Sequence, residues 1–417
     1  SEIRKKIKKY KKKNKIINNK GYSLIKSKLD FNLTNDQKKT LFVINSDLKS
    51  NKKMFRLLQG DVGSGKTIVS LIACLEVILN KYQVAFMAPT EILAKQHFNL
   101  AKKIFPDWVN ISYLSGKTKN TDKKKIITDL NKNTINLIIG THSLFQQKIN
   151  FSKLGLIIID EQHKFGVKQR KNLSDKGGNE CDVLVMSATP IPRSLIMSIY
   201  GDMDLSIIKE KPKNRLDVKT YSKPESKIND IINFIKNEIN NQNQIFWVCP
   251  LIEESKKIDH QSAVQKYNFL KKIFYNKVGL LHGNINNNQK EKILLKFLNK
   301  EIDVLVSTTV IEVGIDFPNA TTIIIENANK FGLSQLHQLR GRVGRGLKKS
   351  NCILMFKSNL SENAKKRIKV LKSTNDGFKI SEEDMKLRGF GDILGFKQSG
   401  VKNFRLADPI INNDLFL

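Results

Sequence analysis

The chain has 417 residues, of which 40% are hydrophobic, 27% charged and 8% aromatic. That length accommodates roughly two to four domains, each able to bury its own core. The composition excludes a disordered or fibrous chain, and no apolar run approaches the ~18–20 residues a membrane-spanning helix needs. Lys and Arg number 73 against 39 Asp and Glu, a formal charge of +34. Such an excess makes a strong field for polyanions and points to nucleic acid as the partner, although Lys-, Asn- and Ile-rich chains of AT-rich genomes accumulate the same excess without a binding role. The cysteines Cys74, Cys181, Cys249 and Cys352 form no CxxC pair, which argues against a disulfide framework or a zinc site and for a reducing compartment. No basic stretch leads into an apolar segment at the start, so a secretory signal is not expected and a reducing cytosol is.

Residues 1–20 carry ten Lys or Arg and one Glu. With little apolar periodicity, residues 1–30 read as a solvated basic arm or linker. From about Phe31 short apolar runs alternate with amphipathic stretches. The runs Val84–Pro89, Leu137–Gly140, Leu154–Asp160 and Val183–Met186 are continuous in hydrophobicity, as strands buried on both faces of a parallel sheet are. Helical segments, Thr67–Asn80 and Glu91–Phe105, lie between them, which is the βαβ pattern of an α/β domain spanning 31–210. A connection near 209–222 leads to a second series of runs, Ile245–Val248, Val278–Leu281, Val304–Val306, Thr322–Ile325 and Cys352–Phe356, in a second α/β domain over 211–372. Residues 373–417 lack strand runs and contain several glycines, so a helical appendage with turns is expected.

Two motifs carry the chemistry. Gly60-Asp61-Val62-Gly63-Ser64-Gly65-Lys66-Thr67 is a complete GxxxxGK[ST] between an apolar stretch and a helical one, the context of a P-loop. Its glycines let successive N–H groups and the helix N-terminus face a β-phosphate. Lys66 adds a point charge, and the Thr67 hydroxyl ligates Mg²⁺. The second motif is an apolar strand ending in Asp160-Glu161-Gln162-His163. At the carboxyl edge of the same sheet these carboxylates lie beside the P-loop, where Asp160 holds Mg²⁺ and Glu161 polarises an attacking water. Pro89-Thr90, Thr141-His142 and Thr308-Thr309 follow strands where hydroxyls and helix starts can hold phosphates, or can serve as plain N-caps.

The DEQH at 160–163, Ser187-Ala188-Thr189, and Gln338-Leu339-Arg340-Gly341-Arg342-Val343-Gly344-Arg345 resemble motifs of superfamily 2 helicases. Longer stretches, among them LLQGDVGSGKT, APTEILAKQH, ATPIPRSL, VCPLIEES and ENANKFGLSQLHQLRGRVGRG, resemble the RecG family of bacterial branch-migration helicases from about residue 31 to 408. The resemblance implies two tandem RecA-like P-loop domains with ATP and Mg²⁺ held between them. Arg342 and Arg345 are then arginine fingers, and Gln338 couples nucleotide state to domain closure. Gly314 and Asp316 meet the nucleotide, while Phe31 and Gln37 of FNLTNDQ stack on and read adenine. Ser187 and Thr189 relay nucleotide state to the DNA side. The tail, with Leu387-Arg388-Gly389 and Gln398-Ser399-Gly400, resembles the translocation hairpin shared with transcription-repair coupling factors, and Arg388 and Gln398 are its expected DNA-side residues.

The partners implied are double-stranded and branched DNA, such as forks and Holliday junctions, and a single-stranded-DNA-binding protein, with the chain acting as a monomer. The implied activity is ATP-dependent translocation in branch migration, fork regression, recombination and repair. Gln162 and the VCPLIEES stretch favour this family over the coupling factors, and an RNA helicase leaves the tail motif without a role. A catalytically silent scaffold predicts a broken P-loop or lost arginines, and none is lost. The family carries an N-terminal wedge domain of the oligonucleotide-binding type; this sequence starts in the basic stretch before FNLTNDQ, so junction specificity is not expected of it alone.

Overall fold

In a computed structural model, the described residues are 12, 15–146, 148–161, 178, 181–189, 203–212, 216–250, 256–309, 315–344, 346, 348–357 and 360–388. They group into two compact units, one ending at Pro212 and the other beyond it. Each unit is built on a parallel sheet. In the first, β1 (Phe55–Gly60), β2 (Gln83–Met87), β3 (Ile111–Leu114), β4 (Leu137–Gly140), β5 (Leu154–Ile159), β6 (Asp182–Ser187) and β7 (Asp204–Ile208) take the order β3-β4-β2-β5-β6-β1-β7. In the second, β8 (Val218–Pro224), β9 (Gln244–Val248), β10 (Val278–Leu281), β11 (Val304–Ser307), β12 (Ala320–Ile325) and β13 (Ser350–Phe356) take the order β10-β11-β9-β12-β13-β8. These are the two parallel-sheet α/β domains the apolar runs imply, in the RecA-like form that the resemblance implies.

The central strands were legible because both their faces are covered. Every residue of β2, β5 and β6 is buried, and each Leu, Ile or Val so buried contributes about 1.5–3 kcal/mol. Three strands carry no such run. β3 and β7 are the two edges of the first sheet and β8 is an edge of the second. β8 begins at a buried Val218 and then alternates exposed and half-buried positions along Lys-Thr-Tyr-Ser-Lys-Pro, as a strand with one wet face does. The expected connection over 209–222 therefore contains the start of a strand, and β8 pairs in parallel with β13 from Ser350↔Val218 to Phe356↔Pro224.

The expectation of a solvated basic arm is corrected where residues before 30 are described. Helix α1 (Asn35–Lys49) and helix α2 (Lys66–Leu79) follow this segment. α2 is buried at nearly every position, Glu76 included, so it is apolar all round and needs covering on its outer side. The N-terminal segment provides that cover. Ile16 N–H donates to Asn80 Oδ1 at 2.7 Å, and Gly21 N–H donates to Glu76 Oε1 at 2.6 Å. Ile17 and Ile25 join the core of the unit. Burial pushes the Glu76 carboxyl above its ordinary value, and the Gly21 N–H opposes that.

The two lysines at 12 and 15 are buried on a single carboxylate. Lys12 Nζ lies 2.6 Å from Asp182 Oδ1 and Lys15 Nζ 2.7 Å from Oδ2, all three side chains being 0–1% exposed. Asp182, at the first position of β6, also accepts from Met54 N–H at 2.8 Å. Desolvation lowers the Lys12 pKa, and the Asp182 charge pulls it back up. Removing the carboxylate strands two buried ammonium groups, and losing one partner of a buried pair costs about 3–5 kcal/mol. Asp182→Ala is therefore expected to lower the unfolding free energy of the first unit by that amount, read as a fall in denaturant midpoint at constant slope. A change below about 1 kcal/mol would show that the pair contributes little.

Candidate nucleotide-hydrolysis site

The first unit assembles its polar groups at the carboxyl edge of its sheet by strand register. β6 lies between β1 and β5, pairing Gln59 with Ser187 and Ile159 with Val185. The residues leaving those strands, the loop after Gly60, Asp160-Glu161 and Ala188-Thr189, are thereby neighbours at one edge. This is the position where open α/β sheets bind ligands.

The loop from 61 to 65 turns into α2 through two left-handed glycines, Gly63 at φ +74° and Gly65 at φ +88°. Gly65 is required for a second reason: a Cβ there would collide with Gln37 Nε2. Gly60 is equally constrained, because a Cβ would meet the buried Ser64 hydroxyl. Lys66 Nζ donates to the carbonyls of Gly60 at 2.7 Å and Asp61 at 2.9 Å, folding the ammonium back over the loop. Asp61 Oδ1 accepts from Val62 N–H at 2.7 Å. Thr67, the second residue of α2, is half-buried.

Gln37 does more than its expected role. Its Oε1 accepts from Thr34 N–H at 2.9 Å, closing a capping box at the start of α1, while Nε2 donates to Ser64 O at 2.8 Å. The amide is 1% exposed. It ties a helix N-terminus to the loop over 61–65. Phe31 keeps a 38% exposed ring nearby in sequence, while Leu33 is core.

Asp160 and Glu161 leave β5 buried at 7% and 8% exposure. Asp160 N–H donates to Met87 O at 2.9 Å, and Asp160 Oδ2 is 2.9 Å from His97 Nε2. Glu161 adopts φ +52°, a left-handed conformation that costs a non-glycine residue about 1–2 kcal/mol and concentrates at functional sites. Its Oε2 accepts from Ala188 N–H at 3.4 Å. Thr189 N–H donates to Ser187 Oγ at 3.2 Å, and Gln59 Nε2 donates to Thr189 O at 3.1 Å. Ser187-Ala188-Thr189 thus touches the strand before the P-loop on one side and the Glu161 carboxylate on the other. His97 and Gln59 are the residues that motif reading passed over. The signal for His97 was available: it is the one polar residue in the buried stripe Leu93, Ala94, His97, Ala101, Ile104 of helix α3 (Glu91–Ile104).

The other predicted contacts are distributed. Thr90 caps α3, accepting from Leu93 N–H at 3.4 Å. Pro89 is half-buried, Thr141 is buried with its hydroxyl 3.4 Å from Ser143 Oγ, and His142 is exposed. In the second unit Thr308 is 2% exposed and Thr309 half-buried, so of that pair Thr309 reaches the surface. Asp316 is exposed. Gln338 is half-buried on helix α8 (Leu333–Arg340), and Arg342, two residues beyond it, is 2% exposed. Arg340 is a framework residue: its guanidinium donates to Leu371 O at 2.6 Å and Thr220 Oγ1 at 3.2 Å and meets His337 Nδ1 at 3.0 Å. Arg388 ends helix α10 (Gly377–Arg388), which follows helix α9 (Glu362–Ser373). Gln162, His163, Gly314, Arg345 and Gln398 lie outside the described residues.

α8 is held at both ends by the terminal helices. Asp384 of α10 accepts from Leu333 N–H at 3.3 Å, Ser334 N–H at 3.2 Å and Ser334 Oγ at 2.6 Å. Its carboxylate thereby satisfies the orphan amides and the positive dipole end of α8. Arg367 of α9 donates to Phe331 O at 2.7 Å, and Arg340 closes the other end on Leu371. Among the described residues no helix is long and apolar enough to cross a membrane.

Three family descriptions match the chain in succession: DEAD/DEAH box helicase over residues 34–197, helicase conserved C-terminal domain over 226–346, and "ATP-dependent DNA helicase RecG, domain 3, C-terminal" over 374–415. The ATP-dependent DNA helicase RecG of Bacillus subtilis is 47% identical over 385 residues, covering 92% of this chain and 56% of that protein. That of Thermotoga maritima is 46% identical, covering 91% and 49%. A solved structure of RecG bound to a three-way DNA junction superposes with a TM-score of 0.85 at 42% identity, covering 100% of this chain and 54% of the other. The chain therefore spans about half the length of the relatives it matches.

Gln37 supplies a test of the loop geometry. Gln37→Ala removes a cap and leaves the Ser64 carbonyl without its donor, together worth about 1–2 kcal/mol. The expected result is a roughly tenfold weaker affinity for a fluorescent ATP analogue. Unchanged affinity would mean that the loop holds its shape without the brace.

Proposed function

Since the chain belongs to the RecG family of helicases, we propose that it forms the ATP-driven motor of a double-stranded DNA translocase that serves branch migration and fork regression in recombination and repair. The observation that carries this reading is the clamp between Asp384 and the N-terminus of α8. It joins a helix within the stretch matched by the RecG domain 3 C-terminal description to the helix that leads into Arg342, so a motion of one is felt by the other. Branched DNA is the proposed substrate, a single-stranded-DNA-binding protein a proposed partner, the monomer the proposed working form and the bacterial cytosol the proposed location.

The residues divide the work as follows. Amides of the loop over 61–65 and Lys66 hold the phosphates, for which Lys66 exchanges its carbonyl partners. Thr67 and Asp160 would hold Mg²⁺. One hydroxyl and one carboxylate fit a cation that takes few protein ligands and completes its shell with water and phosphate oxygens. When bound, the ion neutralises charge on the β- and γ-phosphate oxygens. Glu161, held buried and strained beside Ala188, accepts a proton from the attacking water. Arg342, with Arg345, supplies positive charge to the γ-phosphoryl group during turnover, and Gln338 senses its presence. Gly314 and Asp316 contribute to nucleotide binding. Pro89, Thr90, Thr141, His142, Ser187, Thr189, Thr308, Thr309, Arg388 and Gln398 are proposed to contact DNA or relay nucleotide state to it, chiefly through backbone phosphates.

Hydrolysis measured with and without duplex DNA tests the reading. Stimulation by duplex is expected, Lys66→Ala should abolish turnover with DNA affinity retained, and an ATPase rate indifferent to duplex would sink the proposal. Asp384→Ala tests the coupling. It should lower stability by about 0.5–2 kcal/mol, the worth of a helix cap, and keep basal ATP hydrolysis within about threefold. Displacement of a triplex-forming strand from duplex should fall by at least tenfold. Equal loss of hydrolysis and displacement would place Asp384 in general folding instead.

A further inference from the structure

We propose that His97 is a positioning residue for the Asp160 carboxylate and so sets the magnesium requirement of nucleotide binding. The inference rests on the reading above, in which Asp160 holds Mg²⁺. His97 sits on the buried face of α3 at 5% exposure. Its Nε2 lies 2.9 Å from Asp160 Oδ2, the two side chains being 6% and 10% exposed. A carboxylate can only accept, so Nε2 is the donor. The Phe86 ring of β2 packs against the imidazole with centroids 4.8 Å apart and planes inclined by 47°, and Thr90 fixes the start of the helix that carries it. The Asp160 backbone is pinned separately through its N–H to Met87 O. Main chain and side chain of Asp160 are thus both anchored to the segment Phe86–His97, and with Oδ2 committed to His97, Oδ1 is the oxygen left to ligate.

Mg²⁺ demands near-ideal octahedral geometry and tolerates little play in a ligand. A carboxylate with one oxygen held by a packed imidazole offers its other oxygen in one orientation, whereas an unheld carboxylate rotates about its χ angles. Partners of this kind typically contribute 10–100-fold to metal affinity or activity. The competing account is a core histidine whose only requirement is a hydrogen-bond acceptor. It predicts a loss of stability on substitution with no change in the response to Mg²⁺.

Two variants separate these accounts. His97→Gln places an amide donor near the position of Nε2, and His97→Phe keeps a ring against Phe86 but removes the donor. The measurement is binding of mant-ATP as a function of Mg²⁺ concentration, repeated in EDTA. His97→Phe is expected to raise the Mg²⁺ midpoint by about 10–100-fold while leaving the affinity in EDTA unchanged, and His97→Gln to stay within about threefold of the unmodified chain. If His97→Phe does not fold, His97→Asn, whose shorter amide falls short of the carboxylate, is expected to give the same shift. An unmoved Mg²⁺ midpoint in a folded donor-less variant overturns the proposal. So does a loss of affinity that is equal with Mg²⁺ and with EDTA. If mant-ATP binding to the unmodified chain ignores Mg²⁺, the assignment of Asp160 itself fails and the role of His97 goes with it.

Discussion

The register of β6 between β1 and β5 is the constraint on which the site of the first unit depends. Parallel strands paired in step end at the same height, so Gly60, Ser187 and Ile159 deliver their following residues to one edge. Slipping one strand by a single residue would turn every side chain to the opposite face and carry its following loop out of line with the others. From that edge the local contacts follow. Gln59 reaches Thr189, Ala188 reaches Glu161, and Asp160 reaches His97. Each of these bonds nets only about 0.5–3 kcal/mol after the exchange of water for protein partners, the upper end for those to carboxylates. Their value lies in orientation, because the sheet has already fixed the backbone of all three motifs.

The same logic of anchoring recurs in the second unit with different elements. α8 is short, and an isolated helix of its length would be marginal. Asp384 satisfies its first amides, Arg367 holds Phe331 two residues before it, and Arg340 ties its end to α9 and β8. Arg340 and Arg342 are both buried and two residues apart, yet they do different things. Arg340 spends its guanidinium on framework carbonyl and hydroxyl groups, while Arg342 sits on the turn beyond the helix.

The charge of +34 is not spent uniformly on the surface. Lys12 and Lys15 are interior residues that share Asp182, and Lys66 is folded against carbonyls. The basic segment before residue 30 is in part a structural cover for α2, a helix whose apolar sequence leaves no polar face for water. A run of lysines is thus compatible with burial when a carboxylate and apolar neighbours such as Ile17 and Ile25 are supplied by the same fold.

By itself the sequence determined the fold class, the central strands and the places of the glycine-rich loop and the carboxylate pair at strand ends. Each of these is written locally, in continuous apolar runs, in glycines that a left-handed turn requires, and in adjacent carboxylates at a strand end. The edge strands β3, β7 and β8 escaped because one wet face breaks the apolar run, so pairing and not composition defines them. Only the tertiary structure decided what each polar side chain is bonded to. His97 and Asp160 are 63 positions apart, Lys12 and Asp182 are 170, and Ser334 and Asp384 are 50. No spacing rule reaches across such distances, because the partners are brought together by sheet order and helix packing and by nothing in their own neighbourhoods.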